Sequence, residues 1–279
     1  MKKKQWFKIG LLLSVTMILV ACGNMNEPVS AESVGIWDRY IVYNLSQLII
    51  WFSNLFGQSY PIGIAILTII IRVLLTPLYQ MQVKSQREMM ELQPELDAIK
   101  AKYPNKDRQS QELIQHEQQA LMSERGVNQF AGCFPLLIQL PVMMALYQSI
   151  LRTPELRQGH FLWMNLGQPD PYFILPIIAA VLTFAATYFS MKSNPNTNAA
   201  TKGIMLVNPI MILLIAIRLP SAIALYWVVS NAATLVMTFL FNNPYKIIAE
   251  REAKIKAEKE KQRELRRQYR KVTGRNPKK

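Results

Sequence analysis

Apolar and polar positions in this chain alternate in long blocks, not with the short periods of a water-soluble core. Residues 11–20 form a short apolar run, and 23–35 are small and polar. In 36–56, "IWDRYIVYNLSQLIIWFSNLF", Arg39, Tyr43, Ser46, Gln47, Ile50 and Asn54 recur at three- and four-residue steps. That spacing predicts an amphipathic helix with a mostly polar stripe, lying in a membrane interface. A full span is the rival reading, and Asp38, Arg39 and the scattered amides and hydroxyls weigh against it. Apolar stretches follow at 61–81, 133–151, 172–191, 204–219 and 221–241, read as five transmembrane helices. The fourth is short, and "LPS" at 219–221 turns it tightly into the fifth.

The segments between them differ in kind. Residues 82–132 hold seven Lys/Arg and eight Asp/Glu, and "KYPNKD" at 102–107 divides them with turn residues. Met89, Leu92, Leu96 and Ile99, then Leu113, Leu121 and Met122, fall at helical spacing. This predicts a water-exposed antiparallel helical hairpin, self-supporting and weakly tied to the spans. Residues 152–171 read as an outer loop, 192–203 as a polar loop with Lys192 and Lys202, and 242–279 as a charged tail. The predicted fold class is all-α: a polytopic membrane protein with five transmembrane helices, a cytoplasmic helical hairpin and an outer interfacial amphipathic helix.

Composition adds orientation. The 279 residues are 51% hydrophobic with a mean hydropathy of +0.10, an average over very unlike blocks. Net charge is +14, which suits nucleic acid, anionic lipid or the positive-inside rule. Its placement discriminates: 82–132, 192–203 and 242–279 carry −1, +2 and +9, whereas 23–60 and 152–171 carry −2 and 0. The basic segments therefore face the cytoplasm. The N-terminus agrees independently. Lys2, Lys3, Lys4 and Lys8 precede the apolar core of 11–20, and "LVAC" follows, resembling a bacterial lipobox. Residues 1–21 then form a lipoprotein signal peptide and Cys22 is lipidated on the outer face. The alternative is an uncleaved anchor helix with an incidental Cys. With Cys133 the only other cysteine, no disulfide framework arises.

Catalytic chemistry is missing from the pattern. His116 and His160 have no second ligand at metal spacing, no span contains His, Lys, Asp or Glu, and no Walker A or dinucleotide motif exists. The expectation is a protein that is not an enzyme and needs no cofactor or metal. The spans do contain a central cation, Arg72 in "IAILTIIIRVLLTP", at a cost of roughly 3 kcal/mol on insertion scales. Thr68 and Thr76 share its helical face. Gln139, Thr183, Thr187, Asn208, Ser230, Asn231 and Thr234 read singly as helix–helix hydrogen bonds, worth under about 1 kcal/mol each. No span offers Arg72 a carboxylate, so water or neutral oxygens must solvate it. The first span therefore faces a wet hollow inside the bilayer.

Arg72 in "TIIIRVLLTPL", the charged hairpin, "GCFPLLIQLPVMMALYQSI" and "LPSAIALYWVVSN" ahead of a basic tail together resemble the YidC/Oxa/Alb family of membrane protein insertases, in its Gram-positive lipoprotein form. The resemblance implies a positively charged groove, open to cytoplasm and lipid and closed to the outside. It maps the groove charge onto Arg72, a substrate-contacting Thr onto Thr68, and substrate-facing aromatics onto the pair Tyr226–Trp227 without resolving which. Thr187, Ser230 and Asn231 remain further groove candidates. Clients are nascent membrane proteins in a bacterial plasma membrane, inserted without nucleotide hydrolysis, with the Sec translocon as a further candidate partner. The tail's basic excess at Arg266, Arg267, Arg270 and Lys271 extends beyond the reach of lipid charge, which predicts ribosome binding. Two other classes stay open: a small anion channel or transporter using Arg72 for selectivity, and an assembly factor that holds helices without inserting them.

Overall fold

The structure is a computed structural model describing residues 27–105, 107–127, 134–192 and 199–273. The signal-peptide and Cys22 expectations lie outside the described residues. A π-helical turn, Trp37–Val42, runs directly into α1, Tyr43–Leu55. Gly57 and Gln58, both with left-handed φ, then redirect the chain into α2, Tyr60–Leu74. The two helices are bent by 117°, so α1 lies across α2 and does not extend it. They touch closely: a Cβ on Gly63 would lie 2.2 Å from Ser53 Oγ and 2.5 Å from the Ile49 carbonyl oxygen.

The α1 segment has three faces. Val42, Ile49 and Ser53 are buried, Arg39, Gln47 and Asn54 are exposed, and Tyr40, Leu48, Trp51 and Leu55 form a separate exposed apolar side. Protein, water and lipid would each find a matching face on an interfacial helix. The sequence puts Ser46 in the polar stripe, but the structure buries it, its hydroxyl donating to the Tyr43 carbonyl at 2.7 Å. A small hydroxyl that satisfies itself on its own helix can sit at a tight helix crossing.

A break at Leu75 separates α2 from α3, Thr76–Lys102. Pro77 accounts for it, because it lacks an N–H and its ring clashes with the carbonyl four residues earlier. The boundary expected between residues 81 and 82 has no counterpart in the backbone. There α3 continues unbroken into the first hairpin arm, because Gln80 and Gln82 change polarity but are good helix formers. The second arm is α4, Arg108–Glu124, whose N-cap Asp107 accepts from the Ser110 amide at 3.2 Å. Leu92, Leu96 and Met122 form a small core between the arms. Lys102–Glu117 at 3.0 Å and Arg125–Glu95 at 2.9 Å clamp its two ends.

The remaining elements are α5, Phe134–Arg152; α6, Pro154–Arg157; a two-stranded hairpin of β1, His160–Phe161, and β2, Met164–Asn165; α7, Ile174–Lys192; α8, Ala199–Ala216; α9, Ser221–Phe241; and α10, Pro244–Thr273. In the central core, Ile64 and Leu67 of α2 meet Leu146 and Ile150 of α5 and Ile223 of α9. Ala179, Ala216 and Ala222, all fully buried, let helices approach closely. Ile177, Val181, Phe184 and Tyr188 leave an exposed apolar stripe along α7, and Val207, Ile210 and Leu214 leave another on α8. Such stripes match hydrocarbon, not water. Among the described residues, α7 and the run Ser221–Val272 are long and apolar enough to cross a membrane. The α1–α2 pair would add a third only if its bend were counted as one span, and Met205–Ala216 is shorter.

The segment 152–171, expected as a loop, folds over one end of the bundle. Leu156 and Leu166 are fully buried in the central core. The Gln168 and Leu166 carbonyls accept from the Ser221 and Ala222 amides at 2.7 and 3.3 Å, satisfying the start of α9. Asp170, also buried, accepts from Trp163 Nε1 at 3.1 Å and from the Tyr172 and Leu175 amides at 3.0 and 2.8 Å. Arg152 is buried there in a two-pronged pair with Asp38, at 2.9 and 2.8 Å, and donates through Nε to the Glu27 carbonyl at 2.8 Å.

Candidate substrate groove

Arg72 sits in the last turn of α2, just before the break at Leu75, and is half-buried. Its Nε donates to Ser230 Oγ of α9 at 2.8 Å, and Nη2 donates to the same oxygen. Nη2 also reaches Gln139 Oε1 of α5 at 3.5 Å. The Gln139 amide in turn donates to the Tyr226 hydroxyl at 2.8 Å. A guanidinium carries five N–H groups. Two neutral oxygens occupy part of that fork, and no carboxylate among the described residues pairs with it.

The rest of the fork borders a hollow of about 70 Å³ lined by Thr68, Arg72, Leu75, Tyr79, Gln139 and Tyr226. Its size and polar wall admit water. Thr68 donates to the Ile64 carbonyl at 2.6 Å, which leaves its oxygen free to accept. Below Arg72, Thr76 donates to the Arg72 carbonyl at 3.1 Å and Tyr79 shares a 2.9 Å hydrogen bond with Thr238. A charge held in this way projects its field into a cavity walled by protein, where it acts on an incoming anion more strongly than in bulk water.

The other candidates separate. Both aromatics of the pair belong to the central core, and of the two only Tyr226 also lines the hollow. Successive helix residues point about 100° apart, which turns Trp227 away from the hollow that Tyr226 borders. Ser230 is a direct Arg72 partner. Asn231 instead donates to Thr183 Oγ1 at 2.9 Å, a tie between α7 and α9, and Thr187 donates within α7 to the Thr183 carbonyl at 2.8 Å, both outside the hollow's lining. Sequence reasoning left Gln139 among ordinary helix–helix hydrogen bonds and did not single out Tyr79. An amide inside an apolar, Pro-flanked span was the available signal for Gln139. In the tail, Arg266, Arg267, Arg270 and Lys271 all lie exposed on α10.

The hairpin has its own electrostatics at the tip. The Tyr103 hydroxyl donates to Glu117 at 2.7 Å and Lys102 adds an ion pair, which together hold the Glu117 carboxyl below its usual range. The same hydrogen bond pushes the Tyr103 hydroxyl upward. The Ser110 contacts lower Asp107.

Comparison with known proteins fits this geometry into a lineage. A family model described as 60Kd inner membrane protein matches residues 51–250. A membrane protein insertase YidC of Enterococcus faecalis is 50% identical over 266 residues, covering 95% of each chain. The chain belongs to the YidC/Oxa/Alb family. Another YidC relative is the membrane protein insertase MisCA of Bacillus subtilis, 43% identical over 240 residues, covering 85% of this chain and 92% of that one. A crystal structure of an active YidC insertase with its first transmembrane domain resolved aligns at TM-score 0.58 and 29% identity. That match covers 73% of this chain and 46% of the crystallised one. With YidC relatives throughout and apolar stripes on its helices, the chain is a bacterial membrane protein.

Proposed function

We propose that this chain is a membrane protein insertase that works through the Arg72 hollow, without nucleotide hydrolysis and not as an enzyme. The observation that carries the reading is a half-buried guanidinium held by neutral oxygens beside a cavity whose wall mixes polar and apolar side chains. The relatives' names agree with it. The clients are nascent membrane proteins with a short polar, often acidic, outer segment before an apolar span. Crossing hydrocarbon directly would strand the segment's charges and backbone. A hydrated hollow shortens the apolar path, and Arg72 attracts the acidic segment. The apolar span then slides sideways into lipid, which supplies the driving free energy. A membrane potential positive outside favours outward movement of negative charge by about 2.3 kcal/mol per charge per 100 mV.

The reading extends to topology and partners. Five spans place the hairpin and α10 in the cytoplasm and the folded 152–171 segment outside, where it would close the groove. Cys22 is lipidated, and the basic end of α10 meets ribosomal RNA, with the Sec translocon a further partner. The experiment is depletion of the cell's own insertases with rescue by this chain, following insertion of a short single-span client. Rescue by wild type but not by Arg72→Ala at matched expression is expected. Failure of wild type to rescue, with solute flux through Arg72 in liposomes, would turn the assignment to an anion channel.

A further inference from the structure

A second hollow lies where the apolar helices end. There α7 stops at Lys192, α9 stops at Phe241, and α3 passes beside both on its way into the hairpin. Tyr79, Arg87 and Glu91 of α3, Ser190 of α7, Asn242 at the C-terminal cap of α9 and Arg251 of α10 line it. The two arginines come from separate elements, and neither has an ion pair or hydrogen bond among the described residues. A third donor joins them: the Asn242 side-chain Nδ2 is buried without a partner among the described residues. A buried N–H left unpaired is costly, and an acceptor in the hollow would remove that cost. Lys192 lies 4.6 Å over the Tyr245 ring, which ties the end of α7 to the root of α10 and so helps set where Arg251 stands.

We infer that this hollow binds the phosphodiester headgroup of an anionic phospholipid. Three donors without partners converge on one cavity, and arginine matches phosphate geometry well. The charge also fits. Two arginines and the exposed Glu91 sum to +1, which balances the single charge of a phosphodiester better than the greater charge of a phosphate monoester near neutral pH. The level in the membrane fits a lipid, because the hollow sits at the boundary between apolar and charged helix. Met81 on α3 and Leu240 and Phe241 at the end of α9, close in sequence to lining residues, are exposed and apolar, which suits a level of the protein that meets lipid. A bound headgroup would bridge the first hairpin arm and the tail helix. This inference rests on membrane placement and not on the insertion mechanism.

The test uses full-length protein in detergent micelles, equilibrated with equal phosphatidylglycerol and phosphatidylcholine and analysed by native mass spectrometry. Wild type is expected to retain phosphatidylglycerol selectively. The double variant Arg87→Gln/Arg251→Gln should lose that retention by about tenfold or more. Arg87→Lys/Arg251→Lys should keep most of it, and Arg266→Gln/Arg267→Gln on the exposed tail should leave it unchanged. Asn242→Leu should lower retention without lowering the thermal unfolding temperature, which keeps the site testable if the double Gln variant folds poorly. No lipid preference in wild type, or equal loss in the tail control, would overturn the site. Displacement of the lipid by inorganic phosphate would reassign it to a soluble anion. Arginine-dependent binding of a short RNA duplex without lipid preference would reassign it to nucleic acid.

Discussion

Arg152 and Arg72 both lie within the packed helical body, and their surroundings are opposite. Arg152 is 5% exposed at its side chain, gripped at both ends of its fork by Asp38 and backed by the Glu27 carbonyl. Arg72 has only a hydroxyl and an amide oxygen and stays open to a cavity. A cation that holds two segments together needs a fixed counter-charge, because a buried charge without one is prohibitive. A cation meant for a transient partner must keep its field unspent, so its permanent neighbours are neutral. The capped end of the bundle is thus built for rigidity, and under the proposed function the Arg72 end is the one left open for exchange.

The largest expected effect is at the capped end. Asp38→Ala or Arg152→Ala should each lower stability by about 3–5 kcal/mol, read as thermal unfolding in detergent, because each leaves the other charge buried alone. Arg152→Lys should not restore it, since an ammonium cannot bond both carboxylate oxygens in the same plane. A loss below about 1 kcal/mol would erase the contrast with Arg72. Next comes Gly63→Ala, whose methyl group would collide with Ser53 and Ile49 across the α1–α2 crossing. It should cost about 1–3 kcal/mol by the same measurement, and a neutral result would mean that α1 is loosely held.

Arg72→Ala should change unfolding by under about 1 kcal/mol, because few fixed bonds are lost and a poorly solvated charge disappears. Client insertion should nevertheless fall sharply, and Arg72→Lys should largely preserve it. Strong destabilisation with intact insertion would invert the assignment of the two arginines. The smallest effect is at the hairpin tip. Glu117 and Asp107 have lowered values, so their stabilising contribution is present above the ordinary carboxylate range and is lost as pH falls through their lowered values. Tyr103 is raised, so its contribution holds up to the ordinary tyrosine range and is lost as pH rises through its raised value. Spin-label distances between the arms should widen at both extremes and stay constant between. Insensitivity in acid would remove Glu117 from the clamp.

Much of this was written in the chain itself. The helical elements follow from apolar and charged blocks whose spacing suits helices and from Pro and Gly at their ends. The peculiarity of Arg72 followed from a simple scarcity, since no apolar stretch contains an acidic residue to pair with it. Which neutral groups would meet it did not follow. Helical periodicity assigns a residue to a face, but the neighbour of that face depends on how helices distant in sequence pack. Packing alone brought Gln139 and Ser230 to the guanidinium, set Tyr226 and not Trp227 on the wall of the hollow, and buried Ser46. Asp38 and Arg152, 114 residues apart, looked like ordinary solvated charges until the folded 152–171 segment and α1 enclosed them. Their burial depends on the surrounding chain excluding water, and residue spacing carries no record of that.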